Sequence, residues 1–189
     1  MTTREHLLTH AENLARRRGY DGFSFADLAE GAGIRKASVH YHFPTKAALS
    51  TELAELYAKR SLAALQTKDE DSAGARLNAV IDLYRAAMEG GRSQCLCVAF
   101  SAAVDRLPHA TRAAVATYQA EITAWLSTVF ADARTDRTIA NPSKPDEEAA
   151  ATLALLEGAQ LLARAAQDSS QFDLAVAPLR ARIRIGINP

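Results

Sequence analysis

The chain has 189 residues, 48% of them hydrophobic and 23% charged, with 22 basic groups against 22 acidic ones. This is ordinary globular composition, enough for one domain or a two-lobed chain, and it excludes a disordered, collagenous or disulfide-stapled protein. No apolar run is long enough to predict a membrane span. The opening Met1-Thr-Thr-Arg-Glu-His6 lacks the apolar stretch of a secretory signal. Two cysteines in a chain of this size predict a reducing, cytoplasmic setting rather than a disulfide framework. With no glycine-rich phosphate loop and no zinc-spaced cluster, neither a cofactor nor a metal is expected.

Charge is unevenly placed. No acidic residue occurs from Ala32 to Thr51, a window that holds Arg35, Lys36 and Lys46. Four of the five histidines (His6, His10, His40 and His42) lie within the first 42 positions. Such a window is either a solvated face or a surface for phosphates.

Taken in chain order, the sequence predicts an all-α protein of about nine helices, rich in Ala, Leu, Arg, Glu and Gln. A first helix is expected over 3–18, with Leu7, Leu8, Ala11, Leu14 and Ala15 on one face. Arg16-Arg17-Arg18 then suits its C-terminal dipole. Ser24-Phe-Ala-Asp27 reads as a capping box for a short helix ending near Gly31, and Gly33 supplies a turn. A second short helix, 36–43, stops before Pro44. Thr45 caps a long helix reaching about Thr67.

Two short helices joined by a glycine turn after a supporting helix have helix-turn-helix spacing. Arg35, Lys36 and Lys46 fall at helix starts, where cations oppose the macrodipole but strengthen attraction for phosphate. An eight-residue helix rises about 12 Å, close to the roughly 12 Å width of the DNA major groove. On it, Ser38 and Val39 are small enough for base-edge approach, and Val39 suits a thymine methyl. Arg35 or Lys36 suits a guanine edge, and Tyr41 and His42 suit phosphates. Phe43 is expected in the core, and His40 reads either as a core or interface histidine or as a base reader.

The stretch from Gly19 to Leu49, above all Tyr41-His42-Phe43 followed two residues later by Lys46, resembles the N-terminal domain of the tetracycline-repressor (TetR) family. That resemblance implies a DNA-binding domain at 1–48 with its helix-turn-helix at 24–43, and an effector-binding and dimerisation domain at 49–189. It matches Ser24, Tyr41, His42 and Lys46 to phosphate contacts and Arg35, Lys36, Ala37, Ser38 and Val39 to base contacts. Ala37 stands where the family often has glycine, and His40 where it often has tyrosine. The implied protein is a homodimeric, ligand-released repressor of a palindromic operator, with double-stranded DNA and a small-molecule effector as partners.

Further along, Val115, Tyr118, Ile122, Trp125 and Val129 make an apolar stripe on a helix expected from about Pro108 to Ala133. This is either plain core or, by the resemblance, part of an effector pocket. Tyr118, Glu121 and Trp125 are pocket candidates, together with Tyr84 and Met88 on the fifth helix. A helix from about Pro145 to Gln167 is apolar so far round that it must be covered on more than one side. A homodimer through the last two helices, about 146–185, satisfies it. Pro178 is expected to kink or restart the last helix, and the only strand-like alternation is at 182–187.

Cys95 and Cys97 are the sharpest remaining feature. Two positions apart on a helix they point about 200° away from each other, which makes a disulfide strained. They read as buried structural cysteines, as a reactive thiol, or as metal ligands. The segment Gly90-Gly-Arg-Ser-Gln-Cys-Leu-Cys97 resembles the start of the sixth helix in a TetR branch that includes electrophile-responsive repressors. Two alternatives remain: a helical interaction module, or a cysteine-dependent enzyme built from Cys95 or Cys97 with His109 and Asp105.

Overall fold

The computed structural model of the chain describes residues 2–68 and 71–184. Among these residues the secondary structure is nine α-helices and two short 3₁₀ turns. In order the helices are α1 (Thr3–Arg18), α2 (Phe25–Ala32), α3 (Lys36–His42), α4 (Lys46–Gln66) and α5 (Ala73–Ala86). There follow α6 (Leu96–Ser101), α7 (His109–Asp136), α8 (Pro145–Ala166) and α9 (Ser170–Arg180). The all-α expectation holds, with boundaries set by local chemistry.

Helix α1 opens on a reciprocal capping box in which the Thr2 hydroxyl accepts from the Glu5 amide and the Glu5 carboxylate accepts from the Thr2 amide. Ser24 and Asp27 form the expected box on α2. Gly33 ends that helix in the left-handed region at φ 63°, which a β-carbon would disfavour. Thr45 caps α4 by accepting from the Ala48 amide at 3.1 Å.

The chain divides into two compact units. The first comprises residues up to Lys59 together with Cys95–Tyr118. Its core holds Leu7, Ala11, Leu28, Val39, Phe43, Leu49, Leu53, Leu96 and Phe100, and α1 packs on α2 and on α6. The second comprises Arg60–Gln94 and Gln119 onward, with Leu77, Val80, Ile81, Leu126, Phe130, Leu156 and Phe172 buried.

In the second unit α9 packs along α8, and both pack on α5. Helix α7 runs three residues past its expected end because Asp136 has a task there: its carboxylate accepts from the Ala73 amide at 2.7 Å, at the start of α5. Pro178 does not restart the last helix, which runs through it to Arg180. The alternation at 182–187 amounts to a single antiparallel bridge between Ile139 and Ile183, and its positions 185–187 lie outside the described residues.

Arg182 ties the bridge to α8. Its guanidinium grips Glu148 through two hydrogen bonds of 2.8 and 2.6 Å, and Glu148 is only 12% exposed in its side chain. These bonds hold the Glu148 carboxyl below the usual glutamate range, against burial, which acts the other way. A depressed folded-state pKa adds stability above the unfolded value, about 4.3, and loses it as pH falls through the folded value. Glu148→Gln is therefore expected to lower stability by about 1–2 kcal/mol near neutrality. In urea melts at descending pH the gap between variant and wild type should narrow below the unfolded value, about 4.3, and a gap that stays constant from neutrality through the acid range would refute the assignment.

Candidate nucleic-acid interface and thiol cluster

Helix α3 is anchored by few groups. Val39 is its only buried residue, at 0% exposure, and Phe43 just beyond it is 1% exposed. Arg4 lies over the Phe43 ring and pairs with Glu52 through two hydrogen bonds of 2.5 Å. With so narrow an inner face, Arg35, Lys36, Ala37, His40 and Tyr41 all point to solvent, and Ser38 and His42 are half-buried. Tyr41 is 85% exposed, its ring edge-on to His42 with centroids 5.2 Å apart. Alongside runs a shallow depression of about 580 Å³, lined by Thr3, Ile34, Arg35, Ala37, Ser38, Tyr41 and His42.

Two expectations change here. Val39 belongs to the core and presents nothing to a base, because its side chain is fully enclosed. His40 is exposed, with its ring packed edge-on against Phe25 at 4.9 Å, so it is not a core histidine.

Lys46 is half-buried. Its ammonium donates to the Phe23 carbonyl at 2.5 Å and sits 4.4 Å from the Phe23 ring centroid and 4.8 Å from that of Tyr20. Burial lowers its pKa, while Asp21 and Asp27 act in the opposite sense. The cation at the start of α4 thus has a structural partner, and its placement is no longer by itself a sign of phosphate binding. Ser24 remains exposed, its hydroxyl donating to the Asp27 carboxylate at 2.6 Å.

The same connection holds the helix-turn-helix to the rest of the first unit. The Tyr20 ring meets Phe100 of α6 edge-on at 5.9 Å, and Asp21 pairs with Arg106. On α4, Ser50 and Thr51 each share a 2.9 Å hydrogen bond with the Thr111 hydroxyl of α7.

Within this unit lie both cysteines, neither in a disulfide and both almost fully enclosed, at 1% and 0% exposure. Cys95 is not on the helix. It is the residue before α6, with an extended ψ of 140°, so the helical separation expected for the pair does not apply. Its sulfur instead meets the Cys97 thiol, the Tyr57 hydroxyl and the amides of Val98 and Cys97. Burial alone pushes the Cys95 thiol up, but those four contacts outweigh it and leave its pKa lowered. Burial holds the Tyr57 hydroxyl well above the usual range, and a neighbouring Cys95 thiolate adds to that. Tyr57 therefore stays protonated and donates. Its ring lies 6.3 Å from that of Tyr118, edge-on.

Tyr57 did not stand out in the sequence, although Leu49, Leu53 and Tyr57 repeat at four-residue steps on α4. The only signal was a polar tip on an otherwise apolar stripe.

The remaining candidates are dispersed. Tyr84 and Met88 are buried in the second unit, where the Gln160 amide donates to the Tyr84 carbonyl at 2.6 Å. Glu121 is exposed on α7 and lines neither the depression beside α3 nor the large cavity of the second unit, so it leaves the set of pocket candidates. Trp125 is half-buried because Leu126, at 0% exposure, takes the inner place in the stripe. A cavity of about 1370 Å³ in the second unit is lined by α5, the ends of α4 and α7, and Ile183 and Arg184, and by none of Tyr84, Met88 or Trp125. Asp105 and His109 are exposed while both cysteines are enclosed, so no nucleophile, base and orienting group assemble. Among the described residues no group of three or more His, Cys, Asp or Glu side chains could hold a metal ion, and no helix is long and apolar enough to cross a membrane.

Residues 7–53 match the family model for bacterial regulatory proteins of the tetR family, and residues 73–179 match the tetracyclin repressor-like C-terminal domain. The HTH-type transcriptional repressor NemR of Escherichia coli is 27% identical over 187 residues, covering 94% of this chain and 92% of the relative. An uncharacterized HTH-type regulator of Mycobacterium tuberculosis is 29% identical over 181 residues, covering 94% and 92%. Among solved structures, a TetR-family regulator from Agrobacterium tumefaciens superposes with a TM-score of 0.89 at 26% identity, covering 96% of this chain and 97% of that one. The reduced form of E. coli NemR superposes at 0.79, with 26% identity and the same coverage.

Proposed function

The chain belongs to the tetR family of bacterial regulatory proteins and is a DNA-binding transcriptional regulator, not an enzyme; from that premise we propose a homodimeric repressor whose operator is released by chemistry at Cys95. The observation that carries the DNA half is the face of α3, exposed, free of carboxylates and flanked by a shallow depression.

In this reading α3 enters the major groove. Its seven residues rise about 10 Å, within the groove's width of about 12 Å. Arg35 and Lys36 reach guanine edges or phosphates, and Ala37 and Ser38 let the backbone approach. Tyr41 and His42 take the flanking phosphates, and Ser24 lies toward the backbone at the start of α2. Lys46, fixed through one N–H on the Phe23 carbonyl, offers its other donors to a phosphate. A protein acting on the chromosome of a bacterium works in the cytoplasm.

Support for a homodimer comes from α8. Its inner face buries Ala149, Leu153, Leu156, Ala159 and Ala163. A second stripe, Ala151, Ala154, Gly158, Leu161 and Ala165, repeats at steps of three and four and is exposed or half-exposed. Leu162 is 61% exposed, and Leu174 on α9 is 68% exposed. A β-carbon on Gly158 would meet nothing within 4 Å, which leaves room for a partner helix. Pairing of α8 and α9 with their copies covers this surface in an isologous dimer, whose two-fold symmetry suits a palindromic operator. Sedimentation is expected to give a dimer for the wild type and a monomer for Leu162→Glu. A wild-type monomer bound to its operator would overturn the dimer.

The regulatory half rests on a thiol with a lowered pKa inside the unit that carries the helix-turn-helix. An electrophile added to Cys95 displaces Tyr57 and moves α6, and Phe100 passes that shift to Tyr20 and so to Phe23 and Lys46. Coupling of about 1–3 kcal/mol loosens the operator about 5–150-fold.

Fluorescence anisotropy on the DNA upstream of the chain's own gene tests both halves. Tight binding that weakens with salt is expected, and Lys36→Ala should lower the salt slope by about 1. N-Ethylmaleimide should release the wild type and leave Cys95→Ser bound. Salt-independent binding, or equal release of the Ser variant, would contradict the proposal.

A further inference from the structure

The contact between the two thiols gives the pair a use beyond that of a single reactive cysteine. Cys95 stands before α6 with extended backbone, Cys97 is the second residue of the helix, and their side chains meet with the Tyr57 hydroxyl beside them. No other cysteine exists in the chain, so a sulfenic acid formed at Cys95 has one intramolecular thiol to meet.

We propose that Cys97 is the resolving thiol of Cys95: oxidation of Cys95 by a hydroperoxide is completed by a Cys95–Cys97 disulfide, which makes the switch reversible. This rests on the reading of Cys95 as the regulatory thiol and adds a second class of signal, a two-electron oxidant, to the electrophiles considered above.

The chemistry balances in two steps. The Cys95 thiolate attacks the terminal oxygen of the hydroperoxide; an S–O bond forms, the O–O bond breaks, and hydroxide or alkoxide leaves and takes a proton from water. The Cys97 sulfur then attacks the Cys95 sulfur; an S–S bond forms, the S–O bond breaks, and the thiol proton leaves with the hydroxyl as water. Two thiols have lost two electrons in all, and the peroxide has accepted them.

A bridge between residues 95 and 97 demands a sulfur–sulfur separation of about 2.0 Å and its own torsion. Forming it draws the Cys95 sulfur toward Cys97, and so away from its contact with the Tyr57 hydroxyl beside the start of α6. The disulfide thus disturbs the same end of α6 as an adduct does. Unlike an adduct, it is undone by a thiol reductant, and it keeps Cys95 from the irreversible sulfinic and sulfonic states.

The test is mass spectrometry of the full-length protein after hydrogen peroxide, with remaining thiols blocked by N-ethylmaleimide under denaturing conditions, alongside operator binding. The wild type is expected to lose 2 Da (two hydrogens), to accept no maleimide, to release DNA and to rebind after dithiothreitol. Cys97→Ser should gain one or more oxygens at Cys95 instead, and at the sulfinic stage it should not rebind. Cys97→Ala serves if the serine variant does not fold.

Two outcomes overturn the proposal, and they are distinguishable. A wild type that gains oxygen at Cys95 while Cys97 still accepts maleimide refutes the resolving role, and leaves release by electrophile standing. If neither peroxide nor N-ethylmaleimide modifies Cys95 in the folded protein, the regulatory reading of the thiol fails, and the resolving role fails with it.

Discussion

The organisation of the first unit hangs on one short connection, Gly19 to Phe23. Each of three successive groups in it is held by a different element: the Tyr20 ring by Phe100 of α6, the Asp21 carboxylate by Arg106, and the Phe23 carbonyl by the Lys46 ammonium of α4. A carbonyl hydrogen-bonded to a cation between two aromatic faces is a directional anchor, stronger than a neutral bond of the same length. It fixes where α2 starts, and the capping box of Ser24 and Asp27 then fixes how α2 starts. The orientation of α3 follows, because Gly33 and the single buried Val39 leave it little freedom.

This anchoring explains how α3 can be so thinly buried. A helix of seven residues with one enclosed side chain has almost no stability of its own. It persists because its neighbours hold it, and that leaves its outer face unconstrained by packing. Arg35, Lys36, Ala37 and Tyr41 on that face contribute little to the fold. The same anchoring gives α6 a contact with the connection, since Phe100 meets the Tyr20 ring edge-on, beside its packing on α1.

Much of the fold is legible in the sequence, and the physical reasons are local. Capping residues, glycine at a left-handed turn and proline at a helix end act within a few positions, so α1 to α4 and α8 are found within a residue or two. The misreadings come from longer range. Val39 looks like a surface residue because it is small and surrounded by polar neighbours, yet it alone supplies the inner face of α3. Lys46 looks like a misplaced cation until the Phe23 carbonyl, 23 positions away, appears beside it. Helical spacing sets Cys95 and Cys97 apart, and a single extended residue brings them together. Tyr57 is invisible as a functional residue because nothing in α4 records what its hydroxyl faces. The apolar breadth of α8, by contrast, is plain in the sequence, since an excess of small and aliphatic residues survives any choice of register.

The central claim is that the thiol cluster and the DNA-facing helix respond together through the Gly19–Phe23 connection. Amide hydrogen exchange along the full chain, before and after N-ethylmaleimide has alkylated Cys95, measures this directly. Faster exchange is expected in α6 and also across Gly19–Phe25, α2 and α3. Complete alkylation of Cys95 with exchange over residues 19–43 unchanged would contradict it.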